Sequence, residues 1–209
     1  MKKTDAVDAD HLGFVEKANP HMWFLKAAEL HDQAVSLNRQ RGQSLATFID
    51  YRGAGRKETK DSIDNTVFLL GGFAIENAIK AFIVYENPNF ISNGRLSRRL
   101  QSHSLTQLRL SSALAPLKGR YAWVLKDFES GLGSWARYPC GLSFDVSTAE
   151  ALMRDRLWRG YMKLIGAYGD RLQHLLSSGL WKGPHGFEGR WNFQGEFFDR
   201  TRIPVAGKA

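Results

Sequence analysis

The segment "RRLQSHSL", residues 98–105, places Arg98 five positions ahead of His103. Histidine exchanges a proton near neutral pH and arginine holds negative charge. Together they could transfer a proton beside a developing anion. The alternative is two polar residues in a basic loop. Short motifs of this kind recur by chance in a chain rich in arginine, so spacing alone does not choose between the two.

A second constellation is Glu76 with Lys80, four residues apart in the order that favours pairing on one helix face. Their neighbours Phe73, Ala74, Ile75, Ala78, Ile79 and Phe82 are apolar. The pair is therefore either a structural ion pair at the edge of a core or the polar floor of a site. Basic residues crowd three places: Arg95, Arg98 and Arg99; Arg52, Arg56, Lys57 and Lys60; and Arg154, Arg156 and Arg159. If these segments converge they form a phosphate-binding surface, with Arg95, Arg98, Arg99, Arg154 and Arg156 as the nucleic-acid candidates. If they do not, they are solvated surface. In the tail, Arg190, Trp191, Phe193 and Phe197 interleave cation and ring as single-strand binders do, or else dock their rings on the body.

Several chemistries lack their residues. "GAG" at 53–55 precedes no Lys-Ser/Thr pair, so there is no phosphate loop. The six histidines are scattered, with no His-Glu-x-x-His or Cys/His cluster, which predicts no metal site and no cofactor. "LGSWA" lacks the closing glycine of a nucleophile elbow. The single cysteine, Cys140, excludes an internal disulfide and suits a reducing, cytoplasmic protein. A net charge of +8 favours an acidic partner such as RNA. The first twenty residues carry acids and no apolar run, which argues against a signal peptide. The stretch "TVFLLGGFAIENAIKAFIVY" is interrupted by Glu76, Asn77 and Lys80, and is expected to be a core helix and not a membrane span.

The elements that must position these residues read as helices. Asn19 followed by Pro20 is an N-cap with proline at the first helical position. Trp23, Ala27, Leu30, Ala34 and Leu37 then form one stripe, and Leu45 and Phe48 extend the expectation to about Asp50. Residues 51–61 read as an exposed basic loop. Ser62 or Asp64 caps a second helix running to Glu86, where Pro88 ends it. Ser104 and Gln107 suit a capping box for a short helix over 104–114, and residues 117–135 form another amphipathic run. A second capping box, Ser147 with Glu150, opens the last helix, which reaches about Ser177. No strand-rich segment is expected in the body. The division is an N-terminal arm over 1–18, a helical body over 19–178 and an irregular aromatic-rich extension over 179–209. The predicted class is all-α, an antiparallel bundle of four to five helices.

The order of "FLLGGFAIENAIKAFIVYENP", "HSLTQL" and "SWARYP" after the first helical stripe resembles the higher eukaryote and prokaryote nucleotide-binding (HEPN) superfamily, in its divergent bacterial form. The resemblance covers approximately residues 20–177. It implies a helical bundle that often dimerises. It also implies, in the active members, metal-free RNA cleavage by an arginine and a histidine with four to six residues between them, paired across the dimer. There the motif lies late, near the start of the last bundle helix. Here the corresponding loop holds Arg137 with no histidine following it, and Arg98–His103 lies in an earlier segment. The resemblance therefore implies an RNA-associated or defence-associated binding module that is not itself catalytic. The alternatives are a metal-independent endoribonuclease using His103 with Arg98 or Arg137, and a protein-interaction module.

Overall fold

The computed structural model describes residues 3–43, 45–52, 55–61, 63–117, 119–134, 136–138, 142–143 and 155–198. Among them the chain is mostly helical: α1 (Lys3–Ala18), α2 (Pro20–Asn38), α3 (Asp64–Glu86), α4 (Leu105–Leu110), α5 (Ala122–Leu132) and α6 (Asp155–Ser178). Two antiparallel hairpins accompany them, β1 (Leu45–Asp50) with β2 (Arg56–Asp61), and β3 (Trp181–Lys182) with β4 (Glu188–Gly189).

The N-terminal arm is helical. Asn19 then caps α2, its Oδ1 accepting from the Met22 N–H at 3.2 Å, with Pro20 at the first position. The buried face of α2 is Phe24, Ala27, Ala28, His31, Ala34 and Val35. It is rotated from the predicted stripe, which leaves Trp23, Leu30 and Leu37 half-buried.

The helix does not continue to Asp50; this expectation is corrected. It ends at Asn38, and Gly42 adopts φ +85° in the turn that follows. Leu45 and Phe48 belong to β1, where Thr47, Phe48 and Ile49 are strand-favouring types. The segment read as a loop supplies β2, in register with Phe48 opposite Glu58 and Ile49 opposite Lys57.

Helix α3 is the centre of the fold and packs against α2, α4, α5 and α6. It is long and apolar enough to cross a membrane, and 78% of its most apolar window is buried inside the protein. Gly71 and Gly72 let α5 approach: a Cβ at Gly72 would lie 2.8 Å from Leu132, and one at Gly71 2.9 Å from Phe128. Its start differs from expectation. Asp64 does not cap it but pairs with Arg41 at 2.7 Å, while Asp61 accepts from the Ile63 N–H. Ser62 lies outside the described residues.

Helix α4 is shorter than predicted because the side chains of Glu86 and Arg109 take over its unwound end. The Glu86 carboxylate accepts from Ser112 Oγ and from the Ala113 and Leu114 N–H groups. The buried Arg109 guanidinium donates to the carbonyls of Ser112 and Ala115. These bonds satisfy backbone groups that a longer helix would have paired internally. In α6 the apolar stripe Leu157, Tyr161, Leu164, Tyr168 and Leu172, at helical spacing, is buried, with Leu175 half-buried. The proposed Ser147–Glu150 box, Trp135, Pro139 and Cys140 lie outside the described residues.

Beyond α6, Phe193 and Phe198 lie against Phe24 with ring centroids 5.0 and 5.3 Å away. Trp191 stacks near His21 at 5.3 Å. The tail rings are thus in contact with the helices, the second of the two readings of that segment.

Candidate functional site

His103 follows a 3-10 turn, Arg98–Gln101, and immediately precedes α4. Its backbone is held by α5. Glu129 accepts from Ser104 Oγ at 2.7 Å, Thr106 Oγ1 at 2.6 Å and the Thr106 N–H at 2.8 Å. Ser104 Oγ in turn accepts from the Gln107 N–H at 3.3 Å, the cap that "HSLTQ" predicts, but the carboxylate at this helix start is Glu129. Burial pushes the Glu129 carboxyl up, and the hydrogen bonds from Thr106 and Ser104 outweigh it, leaving the group below its ordinary range.

A stability test follows. A carboxylate lowered in the folded state stabilises above its unfolded value, and that contribution is lost as pH falls through the lower folded value. Glu129→Gln should therefore cost about 1–2 kcal/mol at pH 7, as loss of a helix cap does. The gap from the unmodified protein should close on acidification in urea titrations. A gap independent of pH would show that the cap does not depend on charge.

The imidazole of His103 meets Glu76. Its Nδ1 lies 3.1 and 3.0 Å from the two carboxylate oxygens. Lys80 Nζ donates to Glu76 Oε1 at 2.6 Å. The Glu76 and Lys80 side chains are each 5% exposed, whereas that of His103 is 61% exposed. The ammonium of Lys80 also sits 5.6 Å over the Trp23 ring, and Trp23 is anchored through its indole N–H to the Ala18 carbonyl. A buried ammonium–carboxylate pair thus forms the floor under an exposed imidazole. An ionised carboxylate only accepts, so Nδ1 carries the hydrogen of this contact, and in the neutral ring Nε2 is then the nitrogen with the lone pair.

The two arginines are placed differently. Arg137, exposed, lies with its guanidinium 5.6 Å over the Phe73 ring. Phe73 is three residues before Glu76 on α3, about 4.5 Å along the axis. Arg137 and His103 therefore stand over neighbouring turns of one helix. Arg98 instead lines a cleft with Arg95 and Asn89. Among the described residues neither arginine hydrogen-bonds to His103.

Two of the basic clusters lie apart. The β1–β2 hairpin leads into α3 and the Arg95–Arg99 segment follows its far end, separated by a helix about 33 Å long. Arg52 is paired with Asp50 at 2.9 Å, Arg99 lies 5.5 Å over Phe90, and Arg156 lies 5.0 Å over Trp123. Arg154 is outside the described residues. Of the two readings of these segments, convergence into one surface does not hold for this pair, because α3 keeps them apart.

Sequence reasoning missed the polar core. His31 Nδ1 lies 2.9 Å from Tyr161 Oη, both fully buried. Burial, with the nearby charge of Asp32, raises the Tyr161 hydroxyl well above its usual value. Tyr168 is pushed up to about 12 by burial against an opposing effect of Arg109. The available signal was a histidine on the apolar face of α2 and a tyrosine within the stripe of α6, 130 residues apart.

No protein-family model, no curated protein and no solved structure matches the chain.

Proposed function

We propose that the protein cleaves single-stranded RNA without a metal, using His103 for proton transfer. The observation that carries this reading is the exposed imidazole seated through Nδ1 on the buried Glu76 carboxylate. That arrangement directs Nε2 toward substrate. Nε2 takes the proton of a ribose 2′-hydroxyl, whose oxygen attacks the adjacent phosphorus. The bond from phosphorus to the 5′-oxygen breaks, and the leaving oxygen takes a proton from imidazolium or water. The products are a 2′,3′-cyclic phosphate and a 5′-hydroxyl. Arg137, over the neighbouring turn of α3, suits the charge that develops on the phosphate oxygens.

The same reading takes the helices as an antiparallel bundle carrying the aromatic extension, acting in the cytoplasm and as a homodimer. A second reading, an RNA-associated module that binds without cleaving, is favoured by one observation. Arg98, which has the motif spacing to His103, lines a separate cleft.

The test is incubation of the purified protein with single-stranded RNA and EDTA, beside His103→Ala. Cleavage that survives EDTA and disappears in the variant supports the nuclease. Cleavage unaffected by the substitution overturns the site, and salt-sensitive RNA retention without cleavage supports the binding module. Neither retention nor cleavage leaves the protein-interaction alternative.

A further inference from the structure

After α3 the chain wraps a polar cleft of about 500 Å³, built from the turns Pro88–Ile91 and Arg98–Gln101 and the loop between them. The loop is internally tied. The Ser97 N–H donates to the Phe90 carbonyl at 2.8 Å, and Gly94 takes φ +62° at the turn. The C-terminal segment clamps it from outside, through a hydrogen bond between His185 Nε2 and the Ser92 carbonyl. Buried Ile91 and Leu100 anchor its two ends in the core.

Arg95 and Arg98 line this cleft, and neither forms an ion pair or a side-chain hydrogen bond among the described residues. Arg52, Arg99, Arg109, Arg137 and Arg156, by contrast, each rest on a ring, a carboxylate or a carbonyl. Asn89 and Asn93 add amide groups to the same walls, and Gln101 contributes its carbonyl oxygen while its amide nitrogen donates to Leu96 O at 3.0 Å. Two unpaired guanidiniums in a concave polar site suit a phosphate group, and amides suit the edge of a base. The volume is that of a small-molecule site and too small for a duplex. His103 is five positions beyond Arg98, a reach of at most about 17 Å.

We propose that this cleft is the subsite that holds a single RNA strand beside His103. Arg95 and Arg98 take a backbone phosphate, and the amides of Asn89 and Asn93 contact the base next to it. The assignment rests on the reading of His103 as the reacting group, and it makes Arg98 a substrate-binding residue and not the catalytic partner.

The experiment uses the full chain and a fluorescein-labelled 2′-O-methyl RNA strand, which cannot be cleaved, read by anisotropy at several salt concentrations. Arg95→Gln/Arg98→Gln should weaken binding about tenfold or more. It should also lower the slope of log affinity against log salt by about 0.7–1, as expected for one phosphate no longer neutralised. His103→Ala should bind within about twofold of the unmodified protein, because an exposed imidazole adds little to a phosphate-dominated contact. Equal binding by the double variant overturns the cleft. Adenosine monophosphate that competes as well as an unlabelled strand makes the ligand a free nucleotide and overturns the strand assignment. Cleavage that depends on His103 but keeps its KM in the double variant leaves the nuclease reading standing without this subsite. Binding lost in the double variant, with no cleavage by any form, supports the subsite and overturns the nuclease. No binding by the unmodified protein overturns both.

Discussion

Replacing Lys80 with methionine is expected to lower the stability of the fold by about 3–5 kcal/mol, measured by chemical denaturation. The pair it breaks is 2.6 Å long, with both side chains 5% exposed. Methionine fills much of the same volume, so the loss is electrostatic: Glu76 keeps its charge in the core with only His103 to compensate. A buried ion pair costs desolvation, and removing one partner leaves that cost unopposed. The double replacement Glu76→Leu/Lys80→Met removes both charges and should recover to within about 1–2 kcal/mol of the unmodified protein. A loss below about 1 kcal/mol in Lys80→Met would mean that water reaches Glu76 and that the floor of the site is not dry.

On the proposed nuclease reading, the largest effect on activity belongs to His103→Ala, which should slow RNA cleavage about 10²–10⁴-fold, the range for loss of a positioned acid–base group. Stability and affinity for a non-cleavable strand should change little, because the side chain is 61% exposed. Glu76→Gln separates orientation from simple presence of the imidazole. An amide can turn its NH₂ toward Nδ1 and stabilise the tautomer with hydrogen on Nε2, which cannot accept a proton. A fall of about 10²-fold or more in rate, with RNA affinity retained, is expected from that tautomer change. If Glu76→Gln slows nothing while His103→Ala abolishes cleavage, the carboxylate is a structural partner alone. If His103→Ala lowers stability as much as it lowers rate, the histidine acts by holding α4 against α3.

These outcomes bear on one layer of the molecule, where α3 supplies the floor, α5 the clamp and the chain before α4 the exposed group. Glu129 holds the Ser104–Thr106 backbone, and that backbone carries His103 to Glu76. Arg137 reaches the same helix one turn earlier through the face of Phe73.

What the sequence determined by itself follows rules that act within a few residues. Asn19–Pro20 starts a helix, Pro88 stops one, Ser104 caps another, and the largely apolar character of residues 66–85 puts α3 at the centre. The pairing of Glu76 with Lys80 is equally local, one turn of a helix. Where apolar residues resumed after Gly42, the same local rule misled, since Leu45 and Phe48 suit a strand as well as a helix until the turn between them and α2 is known. Only the tertiary structure decided the partners. His103 meets Glu76 across 27 residues, Ser104 meets Glu129 across 25, and His31 meets Tyr161 across 130. Such contacts depend on how helices cross and rotate. A rotation of one position along α2 already exchanges Trp23 for Phe24 on the buried face. For the same reason, Arg98, five positions before His103 in sequence, lines a different cleft, while Arg137, 34 residues beyond His103, stands over the neighbouring turn of the shared helix.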